Sequence, residues 1–273
     1  MYRKPTLNEK LKSASFSSIL SISIICILVG SFIFAFDLRI TTIMILVLIL
    51  ISLSIYLLKG SSGFKGDLIA LSKNKSIKFE ISFLFILLVF IPYPFYIIAN
   101  YLVKSGVLPR IFLYSASTLM SQPYWAYFLV LIIVGPILEE FLFRGFLLNK
   151  LNTDFANKKN AFLKAMIITS LLVSLVHGIT TFIPVFIMNL GLCIIYFKYD
   201  NLLVNCILHI LSNLELALIL LLVVFKIGKV NKFIMNDPIV SILFIILGII
   251  ALVFYIIYLK QNYNLLKFHK LID

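Results

Sequence analysis

Charge is scarce in this sequence. Only 13% of its 273 residues are Asp, Glu, Lys or Arg, and the eleven acids are outnumbered by 24 bases. So few charges exclude an ordinary soluble domain. Hydrophobic residues make up 62% of the chain, with a mean hydropathy of +1.11, whereas soluble domains hold roughly 45–50% apolar residues. Cysteine is also sparse. Cys26, Cys193 and Cys206 each lie in an apolar run, which excludes a disulfide framework or a CxxC metal pair and leaves them as small buried hydrophobes. The net charge of +13 is spread over short loops, with no dense basic helix and no aromatic-interleaved patch, so no nucleic-acid partner is expected. The sequence has no internal repeat and no low-complexity segment.

What it has is long apolar runs, at about residues 16–36, 40–58, 80–102, 123–148, 162–181, 182–198, 201–225 and 238–259, separated by Gly, Asn, Lys or Asp clusters. Runs of this length, without ten-residue alternation, predict helices rather than a barrel. The expected fold is therefore all-α, a polytopic membrane bundle of about eight transmembrane helices, with residues 1–273 forming a single transmembrane domain. The first run follows Arg3, Lys4, Lys10 and Lys12 like a signal peptide, but it is too long for an h-region and lacks a small-x-small cleavage site, so it is expected to stay as an anchor.

Alternating the runs from a cytoplasmic N-terminus puts seventeen Lys and Arg inside and six outside, with Arg144 inside a span. This bias predicts both termini in the cytoplasm. Tyr124, Trp125 and Tyr127 in "QPYWAYF" fall at the outer end of the fourth run, as interfacial aromatics do. The connection near Thr180 to Pro184 is expected to be very short. The Lys-, Asn- and Ile-rich composition points to an AT-rich bacterial genome and a plasma membrane. Residues 59–78 form the longest inner loop and are expected to include a surface helix.

Polar side chains inside the runs are few: Glu139, Glu140 and Arg144 in "PILEEFLFRGFLL", then His177, Asn189, Asn205, His209, Asn213 and Glu215. An ionisable residue at membrane depth is a functional candidate by default. Glu140 and Arg144 stand four apart and can pair, whereas Glu139 points away and is left free. At the helical rise, Glu139, His177 and His209 lie roughly 16, 20 and 14 Å from the cytoplasmic edge, so three helices bring a carboxylate and two imidazoles to one level. His209 and Asn213 share a face. Gly135-Pro136 precedes the glutamates and is expected to kink the helix and open a polar cavity.

A carboxylate in such a site can act as general base for water, an imidazole can relay the proton, and a second His with an Asn amide can stabilise an oxyanion. The same carboxylate and imidazoles, Glu139, His177 and His209, would equally serve as three ligands of a catalytic zinc with an open fourth position. The residues leave both mechanisms open. Asn189, Asn205 and Glu215 are expected to join helices or line the cavity. His269 lies in the basic tail and is expected to be solvated.

These residues resemble the motifs of the CAAX-protease and bacteriocin-processing family of intramembrane proteases, also called the Abi family. "EEFLFR" (139–144) is similar to its EExxxR motif, "VSLVH" ending at His177 stands where the family has FxxxH, and "HILSN" (209–213) is similar to HxxxN. The resemblance implies an eight-helix fold in which Glu139 activates water with His177, Glu140 and Arg144 support the site, and His209 with Asn213 forms the oxyanion hole. It departs at Val173, where the family has phenylalanine, and this bears on substrate fit. The motif-bearing core spans residues 123–225.

The implied activity is endoproteolysis of a membrane-associated partner: a lipidated protein, a bacteriocin precursor or another peptide, with a membrane-protein partner compatible. Two alternatives belong to other classes. A non-proteolytic immunity or regulatory scaffold would use the same fold with these residues as packing. A proton-coupled transporter would also place ionisable groups near the midplane, but would show repeated halves with paired broken helices, and only one Gly-Pro break is present.

Overall fold

The computed structural model describes residues 7–13, scattered positions between 45 and 69, and the segments 72–106, 130–155, 160–177, 181–224 and 238–268. Every regular element among them is helical, with no strand. They are α1 (Leu7–Ser13), α2 (Lys75–Phe90), α3 (Pro92–Lys104), α4 (130–154), α5 (Ala161–Val176), α6 (Phe182–Tyr199), α7 (Leu202–Val224) and α8 (Pro238–Phe268). Three stretches are long and apolar enough to cross a bilayer, Lys75–Phe95, Phe182–Tyr199 and Pro238–Asn262, while Ala161–Leu175 and Leu202–Leu214 are shorter apolar helices. The chain is an integral membrane protein. The expected count of eight spans is not reproduced: the first two runs, 16–36 and 40–58, fall almost wholly outside the described residues. The aromatics at Tyr124, Trp125 and Tyr127 also lie outside them, as do His269 and most of the 59–78 loop.

Local chemistry sets the helix ends. Asn74 caps α2 by accepting from the Ser76 and Ile77 N–H groups at 2.9 and 3.2 Å, which starts the helix five residues before the apolar run begins. Pro92 then marks the boundary of α2 and α3 inside the run at 80–102, while Ile91 between them keeps a helical backbone and donates to the Leu87 carbonyl at 3.0 Å. Asp200 ends α6 with φ of 45°, and the Asn201 side chain accepts from the Val204 N–H at 3.2 Å to open α7. The connection from α5 to α6 is short but runs from His177 to Thr181, earlier than expected and with Pro184 inside α6, and the two helices pack extensively against each other.

The core lies where α2, α4, α6, α7 and α8 meet, with Leu84, Leu192, Ile195, Leu202 and Leu208 fully buried. The opposite face of α8 exposes Ile242, Leu243, Ile246, Ile249 and Val253. Such a face suits lipid, which solvates it as the core would. Glu80, absent from the polar set singled out in the sequence, is buried at the start of α2 and ties three helices together. It accepts from Lys198 Nζ at 2.7 Å and from the hydroxyls of Tyr199 and Tyr258. A buried carboxylate is tolerated here because three donors replace its water.

α8 also crosses the α2–α3 boundary at Gly248. A Cβ there would sit 2.4 Å from two atoms of the Pro94 ring and 2.9 Å from the Phe90 carbonyl oxygen. A proline ring and a backbone carbonyl cannot rotate aside, so Gly248→Ala is expected to cost about 1–3 kcal/mol through overpacking. Comparison of thermal unfolding in detergent with wild type measures it, and an unchanged midpoint would show that α8 does not seat there.

Candidate active site

The site is built on α4, which is not a uniform α-helix. Val130–Val134 is π-wound, Gly135–Glu139 is α-helical, and Glu140–Leu148 is π-wound again before Asn149–Asp154 finishes the helix. Pro136 offers no N–H and crowds the carbonyl one turn before it. The expected disturbance therefore takes the form of widened turns on both sides of the Gly-Pro step. The widened stretch still keeps residues four apart on one face. Glu140 and Arg144 profit from this. Arg144 Nη1 donates to Glu140 Oε1 at 2.8 Å, and both side chains are 0% exposed. Asn149 mends the far end of the π stretch, its amide donating to the carbonyls of Arg144 and Gly145 at 3.0 and 2.9 Å.

The ion pair is held from two other helices. Arg144 Nη2 donates to Asn189 Oδ1 on α6, and the Asn189 amide is fixed in turn by donating to the Val185 carbonyl at 2.7 Å. From α7, His209 Nδ1 lies 2.8 Å from Glu140 Oε1, and Asn205 Nδ2 donates to Glu140 Oε2 at 3.2 Å. Both oxygens of Glu140 are thus occupied. A carboxylate surrounded by an arginine, an imidazole and an amide stays ionised inside an apolar bundle. It is committed to this network.

Glu139 is placed differently. Its side chain is 25% exposed, its Oε1 lies 3.6 Å from His177 Nε2, and its Oε2 lies 3.9 Å from His209 Nε2. Oε2 is buried and has no hydrogen-bond partner. His177, the residue that ends α5, has its Nδ1 2.9 Å from the Val173 carbonyl oxygen. A ring nitrogen facing a carbonyl must be the protonated one, and the same holds for His209 Nδ1 against the Glu140 carboxylate. In each neutral ring the lone pair is then on Nε2, directed toward Glu139.

Three elements therefore bring Glu139, Glu140, Arg144, His177 and His209 together. Asn213 is half-buried, one turn beyond His209 on α7. The side chain of Glu215 lies outside the described part of α7. Asn189 and Asn205, read from the sequence as joining or lining residues, touch the ion pair itself. Asn205 was legible, since it precedes His209 by one turn on the same face; nothing in the sequence pairs Asn189 with Arg144. Val173, at the position that differs from the resemblance, is fully buried, and its carbonyl holds His177.

The donor chemistry of Glu139, His177 and His209 is that of a zinc site. Even so, among the described residues no group of three His, Cys, Asp or Glu is arranged to hold a metal ion.

No curated protein and no solved structure matches this chain. Residues 120–215 match the model of a family described as Rce1-like, type II CAAX prenyl endopeptidase Rce1-like. That segment carries all three motifs and all the site residues named above. The motif-bearing part of the chain is thus similar to the Rce1-like CAAX prenyl endopeptidases over residues 120–215.

Proposed function

We propose that the protein is an intramembrane endopeptidase that hydrolyses a peptide bond of a membrane-associated protein or peptide with a water activated by Glu139. The observation that carries this reading is the asymmetry of the two glutamates. Glu140 has both oxygens engaged, while Glu139 keeps one buried, unpartnered oxygen and faces a histidine Nε2 with each of its oxygens. Only the second arrangement leaves room for water and a place for its proton.

The water oxygen attacks the carbonyl carbon as Glu139 takes its proton, with His177 Nε2 available to share it. Stabilising the oxyanion asks His209 to donate through Nε2, which requires both of its nitrogens to be protonated. Its Nδ1 lies 2.8 Å from the Glu140 carboxylate, so the ring is held with Nε2 toward the site. Asn213, on the same face, is the second donor in this reading. Collapse of the intermediate breaks the C–N bond, and the proton held by Glu139 and His177 goes to the leaving amine.

We also place both termini in the cytoplasm. Lys12 pairs with Asp200 at 2.6 Å, and Lys10 donates to the Tyr56 carbonyl at 2.9 Å, so α1 sits at the end of the bundle where α6 meets α7. Lys150, Lys164 and Lys198 belong to the same end by helix direction, an excess that favours the inner leaflet.

A quenched-peptide library in detergent, including lipidated and unmodified peptides, tests the activity with and without a chelator. Cleavage that survives chelation is expected. Cleavage abolished by chelator and restored by zinc would replace the water-only mechanism with a metal one. A folded wild type that cuts nothing would leave a scaffold of the same fold.

A further inference from the structure

We infer that Asn205 is a positioning residue: it fixes the carboxylate of Glu140 and, through it, the ring of His209. The inference rests on the hydrolytic reading above. The Asn205 side chain is fully buried, and its amide nitrogen has two acceptors, the Leu192 carbonyl on α6 at 2.7 Å and Glu140 Oε2 on α4 at 3.2 Å. The orientation of this amide is not interchangeable. Turning it over would point an oxygen at two acceptors, so the network itself fixes which end is nitrogen.

Its place on α7 gives that fixed amide a mechanical role. Asn205 precedes His209 by one turn, so the two side chains reach the same carboxylate from one helix face, Asn205 at Oε2 and His209 at Oε1. With Arg144 also on Oε1, Asn205 is the sole described partner of Oε2 and stops the carboxylate from rotating about its last bond. A carboxylate free to rotate would no longer hold the His209 Nδ1 proton in one direction. His209 Nε2, 3.9 Å from Glu139, would then lose its fixed aim. Outer partners of this kind set ring orientation and tautomer without touching the reacting atoms.

Asn205→Leu keeps the branched shape and removes the donor, while Asn205→Ser is smaller than the native side chain and serves should the leucine variant fail to fold. Both are compared with wild type as full-length protein in detergent, with helicity and melting temperature recorded. Two readouts separate positioning from packing. The chain has three histidines, so NMR of isotope-labelled histidine rings gives one set of signals for each, with His177 and His269 as internal references. A folded variant is expected to shift and broaden the His209 ring signals relative to those of His177 and His269, as the Nδ1 proton loses its fixed acceptor. On the peptide best cleaved by wild type, kcat is expected to fall about 10–100-fold, with KM changed by less than about twofold.

Unchanged His209 signals, or a lower melting temperature with kcat intact, would overturn the inference. If wild type cleaves nothing, the hydrolytic reading fails, and the ring signals still decide whether Asn205 holds His209.

Discussion

Glu139→Gln is expected to lower kcat by about 10²–10⁴-fold, the range removed with a general base, while leaving the protein folded. In barrier terms this is about 3–5 kcal/mol. Glutamine keeps the shape and can still touch both imidazoles, but it cannot accept the proton of an attacking water. The expected effect on stability has the opposite sign. Glu139 is a partly buried carboxylate with one oxygen lacking a partner, and such a group costs the fold free energy. Neutralising it should leave the melting temperature unchanged or raise it slightly, the pattern of a residue kept for chemistry. Initial rates and thermal melts on the same preparation check both. Full activity in Glu139→Gln would remove this residue from the mechanism, and loss of folding would make it a structural one.

The second large effect is expected at Arg144, where chemistry and stability are coupled. Arg144→Met leaves Glu140 ionised and 0% exposed without its counter-charge. Breaking a buried pair from one side costs about 3–5 kcal/mol. Arg144→Lys is not expected to rescue it. One ammonium cannot reproduce the planar fork that reaches Glu140 and Asn189 together. The double variant Glu140→Gln, Arg144→Met should recover much of the lost stability, because removing both charges removes the desolvation cost that the pair offsets. Its activity should stay low, since His209 Nδ1 then faces a neutral amide. Unfolding midpoints of the two single variants and the double variant form a cycle. Additive effects would show that the pair is not coupled and that the ion pair does not hold α4.

The contrast between the glutamates was partly legible before any coordinates. The spacing of four between Glu140 and Arg144 predicts a pair, and adjacency alone turns Glu139 elsewhere. What the spacing could not supply was the winding of the helix. α4 is π-wound from Glu140 to Leu148, and no residue in "EFLFRGFLL" announces it apart from the proline just upstream. Estimates of depth from a uniform rise brought Glu139, His177 and His209 to one level. These residues do meet, at 3.6 and 3.9 Å. Depth fixes a position along each helix axis, and the local winding of α4 changes that position less than it changes the direction each side chain faces.

Glu80 marks the limit of reading by apolar runs. It stands at the edge of a run, beside Lys75 and Lys78, where a glutamate ordinarily faces water. The structure buries it because α6 and α8 bring Lys198, Tyr199 and Tyr258 to it from 118 to 178 residues away. Pro92 shows the converse. Its chemistry was visible, but the apolar run around it continued, and composition alone does not register a missing N–H.

By itself the sequence determined the membrane class, the helical character, the faces shared within one helix and the motifs that tie residues 120–215 to a protease family. Each follows from composition or from a period along a single element. The tertiary structure decided how the helices are turned toward one another. It set which His209 nitrogen faces which glutamate, that Asn189 reaches Arg144 and that Asn205 reaches Glu140. Rotation of one helix about its axis is governed by side chains packing from several elements at once, and that information is not local to any stretch of the chain.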